Sequence, residues 1–474
     1  MTRPRTNTAR TLGLIACLAL APAHALAQSA TNLEALRGLA PVSALPATAE
    51  GKAALAANLT VTGDIQMGRH PQPLLLPFAE QQRLALRDCF ITDGNAAQLA
   101  DGLGTALGDA YQAKARYEDF KTFTSVSGSL ARLIGYTNNI TKSDSNAGKY
   151  FFANATTNGE APVSEPARAI LTKVGGTTDV FGKTYGRPAG TPGADAFGNS
   201  RPFQTEPSLL AYRGEDYFGA ASHSMDWLRG PKQNLTDSPS YPSGHTTYGY
   251  TESLLLALLV PERYQQMIAR GAEYGNNRIV VGAHYAMDVL GGRAVALHAV
   301  AHLLANDPAY VGQTRANPAI DNEMSRATDG AVTISDYPEA LKAARAELQA
   351  FLRERCGDTV AACAAADRSR FKDAAANGAF YASTQTYGLP VVHRDRSGQP
   401  VDVARVAPEA GHLLTAAFPA VTLDEANAIL TATLGPAGGF LDDGSVFGLY
   451  SRLDLYAAGG KAASLAASRR ATAP

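Results

Sequence analysis

The chain has almost no net charge, few cysteines and, beyond its first residues, no long apolar run. Its 42 basic and 43 acidic residues leave a formal charge of −1, which gives no reason to expect nucleic acid or an anionic membrane as a partner. No later run approaches the ~20 apolar residues that span a bilayer. The nearest, Leu254 to Val260, stops at Pro261, so no membrane span is expected. Only four cysteines occur in 474 residues. Cys356 and Cys363 are spaced to close a short disulfide loop. Cys89 has no neighbour that would activate a thiolate and reads as a buried, inert thiol. No internal repeat is present.

What the chain does have is a globular composition, 45% hydrophobic and 18% charged, enough for one large core or two ordinary domains. The N-terminus carries a basic region (Arg3, Arg5, Arg10), an apolar stretch from Leu12 to Ala21 and the small-residue signal Ala25-Leu26-Ala27. That order is a secretory signal. It predicts a periplasmic or secreted protein cleaved near Ala27, and losing three arginines and no acid moves the formal charge from −1 to −4. Leu14-Ile15-Ala16-Cys17 offers a lipoprotein reading, against which the apolar run continues past Cys17.

Residues 28–60, rich in Ala, Leu and Pro, read as a surface wrap. Residues 80–115 favour helix, 137–160 read as loop, and Ser164 to Val174 as a short helix. A Gly/Pro-rich loop covers 175–242, and loops of that length are commonly functional. Helices are expected from Thr246 to Leu259, from about Gly282 to Leu304 with a bend at Gly291-Gly292, and from Pro338 to Arg355. Thr422 and Glu425 form a capping box that opens another. Residues 438–460 read as turns, and the run from Ala462 as a frayed tail.

Two short segments carry the chemistry. In Pro242-Ser243-Gly244-His245 a hydroxyl and a glycine precede a helix, whose unpaired N–H groups favour an anion. His245 is placed to protonate a leaving alkoxide. In the second segment Arg278 precedes His284 and Asp288. These last two are four apart, a spacing that puts both on one face of a helix. A carboxylate there fixes the imidazole tautomer and leaves the other nitrogen free to attack. The planar fork of Arg278 suits phosphate oxygens.

Together these residues resemble the type 2 phosphatidic acid phosphatase superfamily, which includes bacterial class A non-specific acid phosphatases and vanadium haloperoxidases. The family pattern is K-x6-R-P, P-S-G-H and S-R-x5-H-x3-D, and Asn277 stands here for the serine before Arg278. The resemblance implies an all-α helical bundle with additional helical and irregular N- and C-terminal segments. It implies His284 as nucleophile, Asp288 as its orienting group, His245 as general acid, and Ser243, Gly244 and Arg278 as phosphate ligands. The first motif departs from the pattern. Arg201-Pro202 supplies its end, and Lys183 is taken as its lysine across an insertion at 189–200, with Arg187 as the fallback cation.

The domains that follow are a signal peptide (1–27), an N-terminal helical segment (28–125), a catalytic core (126–306) and a C-terminal extension (307–474). The implied activity is an exported acid phosphatase that hydrolyses small phosphomonoesters through a phosphohistidine, with no cofactor and no metal. Phosphate or vanadate would act as product or inhibitor. A vanadium-dependent haloperoxidase, with vanadate in the same cradle, is the alternative, and a phosphate-binding protein without catalysis is a third reading. Oligomeric state is not set by the sequence. His298 and His302 are four apart on a helix, but no carboxylate completes a metal motif near them, and they read as structural. His223 is a pocket-lining candidate from the long loop, and Asp442-Asp443 read as a solvated turn. His70, His393 and His412 are isolated and carry no role.

Overall fold

The structure is a computed structural model that describes residues 28–472, apart from 91–93, 119–121, 178, 207, 227–234, 236–237 and 317–330. The export signal expected at 1–27 lies outside the described residues. The N-terminal helices are α1 (Ala30–Leu39), α2 (Ala49–Gln66), α3 (Phe78–Arg87) and α4 (Thr105–Lys114). Then come α5 (Gly128–Asn154), α6 (Glu165–Lys173), α7 (Val180–Thr184) and α8 (Pro202–Thr205). The centre is α9 (Gly244–Leu259), α10 (Tyr264–Val280) and α11 (Ala286–Leu304). The C-terminal part holds α12 (Tyr337–Cys356), α13 (Val360–Ala365), α14 (Ala374–Thr384), α15 (Val403–Val406), α16 (His412–Thr415), α17 (Leu423–Ala432), α18 (Val446–Tyr450) and α19 (Leu455–Thr472). Among the described residues strands form only two short antiparallel hairpins. These are β1 (Arg213–Glu215) with β2 (Ala221–His223), and β3 (Thr314–Ala316) with β4 (Ala331–Thr333). The fold is the helical bundle expected.

Every residue of α9 is buried, as befits a helix without a solvent face. It packs on α5, α10 and α11. α11 is long and apolar enough to cross a bilayer, but its residues are buried inside the bundle. It runs unbroken through Gly291-Gly292. A Cβ on Gly292 would stand 2.5 Å from the Ser243 carbonyl oxygen. The glycine pair thus lets α11 press against the Pro242-Ser243 turn rather than bend. One apolar core takes side chains from Ala96 to Ala466, so the C-terminal segment is built into the bundle.

Several segments differ from expectation. Residues 28–60 form α1, a 3-10 turn and α2, and bury Leu36, Leu39, Leu45 and Leu55 instead of lying on the surface. The helix expected over 80–115 is three pieces, broken where Ala96 takes a left-handed φ of 57°. Residues 137–154 belong to the 27-residue α5. Its polar middle is buried, and Thr137 Oγ1 donates to the Leu133 carbonyl at 2.7 Å, the back-bonding that lets threonine sit inside a helix. Past Ala462 the chain continues as α19, burying Ala462 and Ala466. Asp442 is buried and accepts from the Gly438 N–H at 2.7 Å, whereas Asp443 is exposed as expected of a solvated turn. α12, with Asp336 capping it and Leu341, Ala344, Leu348 and Leu352 buried, matches its expected pattern. So does α17, with its Thr422/Glu425 box. Cys356 and Cys363 form a disulfide, and Cys89 is buried and free.

Candidate active site

The site lies where three helix ends meet. Ser243 caps α9, its Oγ accepting from the Thr246 N–H at 3.2 Å. Arg278 sits in the last turn of α10, and His284 just before α11. The turn holding Ser243 follows a cis Tyr241–Pro242 peptide. The Ser243 N–H donates to the Asp288 carbonyl at 3.0 Å, which ties the two motifs together. Ser243, His245, Arg278, His284, Asp288 and Arg201 are all buried.

His284 Nδ1 lies 3.2 Å from Asp288 Oδ2. The same carboxylate oxygen accepts from the Tyr285 N–H at 2.9 Å and from the Ser240 hydroxyl. On the other side of the ring, Arg201 Nη1 is 2.9 Å from His284 Nε2. A guanidinium only donates, so Nε2 is the acceptor and the proton rests on Nδ1, facing Asp288. Arg201 is itself held by the carbonyls of Ser238 (2.7 Å), Ala283 (3.0 Å) and Pro239 (3.3 Å) and by Ser238 Oγ (3.1 Å).

Lys183 does not join them. It is exposed on α7, and Arg187 turns its Nη1 to the Pro192 carbonyl at 3.1 Å. Lys149 is the lysine at the site. It lies buried near the end of α5, and a Cβ on Gly244 would come within 3.1 Å of its Nζ. A side chain at 244 would push the ammonium back by a few tenths of an ångström, so glycine lets it sit close to the start of α9. Lys149 stands 52 positions before Arg201 in the sequence, and it falls in the segment read as loop. Its helical setting was hidden by the Asn, Thr and Ser residues of α5. Ser240 was missed as well, since nothing in the sequence marks its contact with Asp288. Asn277 has its own partners: its Nδ2 donates to Asp88 Oδ2 at 2.8 Å, and Gln81 donates to its Oδ1 at 2.5 Å. His223 pairs with Asp226 at 3.1 Å on β2.

The electrostatics follow from crowded buried cations. Burial, then the charges of Arg201 and Arg278, pull Lys149 down to about 7. Burial and Arg278 lower Arg201 to about 10. Burial and the surrounding cations hold His245 and His284 well below the usual imidazole range. Asp288 is pushed up to about 7 by burial, opposed by its bonds from Ser240 and Tyr285. Arg278 buries Nε and Nη1 without a hydrogen-bond partner. Arg201 on the imidazole lone pair, with the charges of Arg278 and Lys149 also acting on His284 beside the start of α9, makes a site for a tetrahedral oxyanion.

Residues 193–309 match the family model described as the PAP2 superfamily. Three curated relatives align over short stretches. A non-specific acid phosphatase of Salmonella typhimurium is 45% identical over 64 residues, 14% of this chain and 26% of the relative. Another, of Providencia stuartii, is 34% identical over 98 residues, 21% of this chain and 35% of the relative. An acid phosphatase of Zymomonas mobilis is 42% identical over 72 residues, 15% of this chain and 27% of the relative. The chain thus spans about a quarter to a third of the length of these relatives.

Proposed function

We propose that this chain, which carries a PAP2 superfamily domain, is a phosphatase that hydrolyses soluble phosphomonoesters through a covalent phosphohistidine. The observation that carries the reading is the orientation of His284. Its Nδ1 faces Asp288 and its Nε2 lone pair faces the cations. Bound phosphoryl oxygens take up Arg201, Arg278 and Lys149. Nε2 attacks phosphorus, the ester P–O bond breaks, and the leaving oxygen takes its proton from His245. Water then attacks the phosphohistidine, gives a proton back to His245, and inorganic phosphate leaves with His284 restored. The dianion raises the affinity of His245 for its proton, because it offsets the cations that depress it in the free pocket. Positioned donors of this kind supply most of the barrier reduction in phosphoryl transfer.

The names of the relatives support acid phosphatase activity. Export is part of the same proposal, supported by the N-terminal pattern and by the Cys356–Cys363 disulfide, which suits an oxidising compartment. The test is hydrolysis of p-nitrophenyl phosphate with and without vanadate, beside a bromination assay with vanadate and peroxide. Vanadate-inhibited hydrolysis without bromination supports the phosphatase. Bromination without hydrolysis overturns it in favour of a haloperoxidase.

A further inference from the structure

About three turns along α11 from the start of the helix, roughly 18 Å away, His298 and His302 meet Glu34 of α1. The ligand atoms of these three residues all lie within 4.8 Å of one another. His298 Nε2 is 3.6 Å from Glu34 Oε1, and His302 Nε2 is 3.6 Å from Glu409 Oε1. Both Nε2 atoms are buried without a hydrogen-bond partner, and His298 is only 1% exposed. We propose that His298, His302 and Glu34 form a site for a Zn2+-type divalent cation, with water as its fourth ligand, that clamps the N-terminal α1 to the central helix.

The geometry fits that ion. Bonds of ~2.0–2.1 Å in a tetrahedron place neighbouring ligand atoms about 3.4 Å apart, close to the 3.6 Å between His298 Nε2 and Glu34 Oε1. The outer groups fit as well. His302 Nδ1 lies 2.8 Å from Asp307 Oδ2 and His298 Nδ1 3.3 Å from the Tyr310 hydroxyl. The Asp307 carboxylate puts the His302 ring proton on Nδ1 and turns its Nε2 lone pair inward, as a metal-bound histidine requires, and the Tyr310 hydroxyl can accept from His298 Nδ1 in the same way. The Tyr450 hydroxyl donates to Glu409 Oε1 at 2.5 Å and holds that carboxylate beside His302 as an outer group. Simple ion pairs serve less well. The two imidazole rings are 4.5 Å apart between centroids, where two imidazolium charges would repel. Glu34, 42% exposed at its side chain, leaves an entry path. In the sequence Glu34 lies far from the histidine pair, so only folding assembles the set.

The test uses the full chain stripped with EDTA and dialysed, titrated with ZnCl2 and with CoCl2. We expect one equivalent of Zn2+ to bind and raise the melting temperature, and Co2+ to give the intense visible bands of four-coordination. Glu34→Gln and His302→Gln should each weaken Zn2+ by more than about 100-fold, and Asp307→Asn by roughly tenfold. Glu34 is half-exposed, so its isosteric variant keeps the fold testable, with circular dichroism as the check. No saturable binding at one equivalent overturns the proposal. So does binding that Glu34→Gln and His302→Gln leave unchanged, which would make the cluster a set of ion pairs only.

Discussion

Arg201 Nη1 stands 2.9 Å from His284 Nε2, on the lone pair assigned to attack. A substrate phosphoryl group must draw the guanidinium from that nitrogen onto an oxygen, a short swing made while the rest of the fork keeps its bonds to Ser238 and Pro239. Lysine cannot reproduce such a fork. Arg201→Lys should therefore lower kcat/KM for p-nitrophenyl phosphate by about 100-fold or more, measured by steady-state kinetics. A loss below about threefold would deny Arg201 its place at the phosphate.

The two lysines separate cleanly. Lys149 is buried beside Gly244, whereas Lys183 is exposed on α7. Lys149→Met should cost about 100- to 1,000-fold in kcat/KM, and Lys183→Met less than about twofold, as for an exposed residue away from the site. The reverse ranking would restore Lys183 to the first motif.

The pH dependence of anion binding follows from Lys149, lowered to about 7 by burial and by Arg201 and Arg278. Below that pH the free pocket already holds the ammonium. Above it the lysine is neutral, and a bound dianion must bring a proton with it. Sulfate keeps its charge across this range. Its Kd should be flat below pH 7 and rise by up to about tenfold per pH unit above it, by isothermal titration. Lys149→Met should flatten the profile. A wild-type Kd that falls as pH rises would contradict this assignment.

A buried ionic network supports the floor of the site. Arg270 is bonded to both oxygens of Asp88 at 2.7 and 2.8 Å and to Asp101 at 2.7 Å. Arg370 joins Asp101 and Glu273 from the C-terminal segment. Asn277, beside Arg278, donates to Asp88. Removing Asp88 takes the bidentate partner from a fully buried guanidinium that keeps Asp101, a loss that costs about 3–5 kcal/mol for a buried pair. Asp88→Ala should destabilise the protein by that amount in urea unfolding. A change under about 1 kcal/mol would mean that water or rearrangement supplies the missing partner.

What could be read from the sequence follows from local chemistry. The capped helices α12 and α17 and the placement of Ser243 ahead of α9 each depend on residues within a few positions, whereas the segment read as one loop over 175–242 holds α7, α8 and the β1–β2 hairpin. α10 escaped because its buried face carries Arg270, Glu273, Asn276, Asn277 and Arg278, polar groups that erase the apolar period while pairing with distant segments. α5 escaped for the same reason, and Lys149 with it. His245, Arg278, His284 and Asp288 were legible because their order and spacing are local. Ser240 and Lys149 were not, because only the folded chain brings them to the imidazole and to Gly244.

The most direct measurement is rapid-quench labelling with 32P-labelled substrate on wild type, His245→Ala and His284→Ala. The account predicts an acid-labile, base-stable label on wild type at His284. It predicts that label accumulating in His245→Ala with a good leaving group, and none in His284→Ala. Covalent label retained at full level in His284→Ala would contradict it.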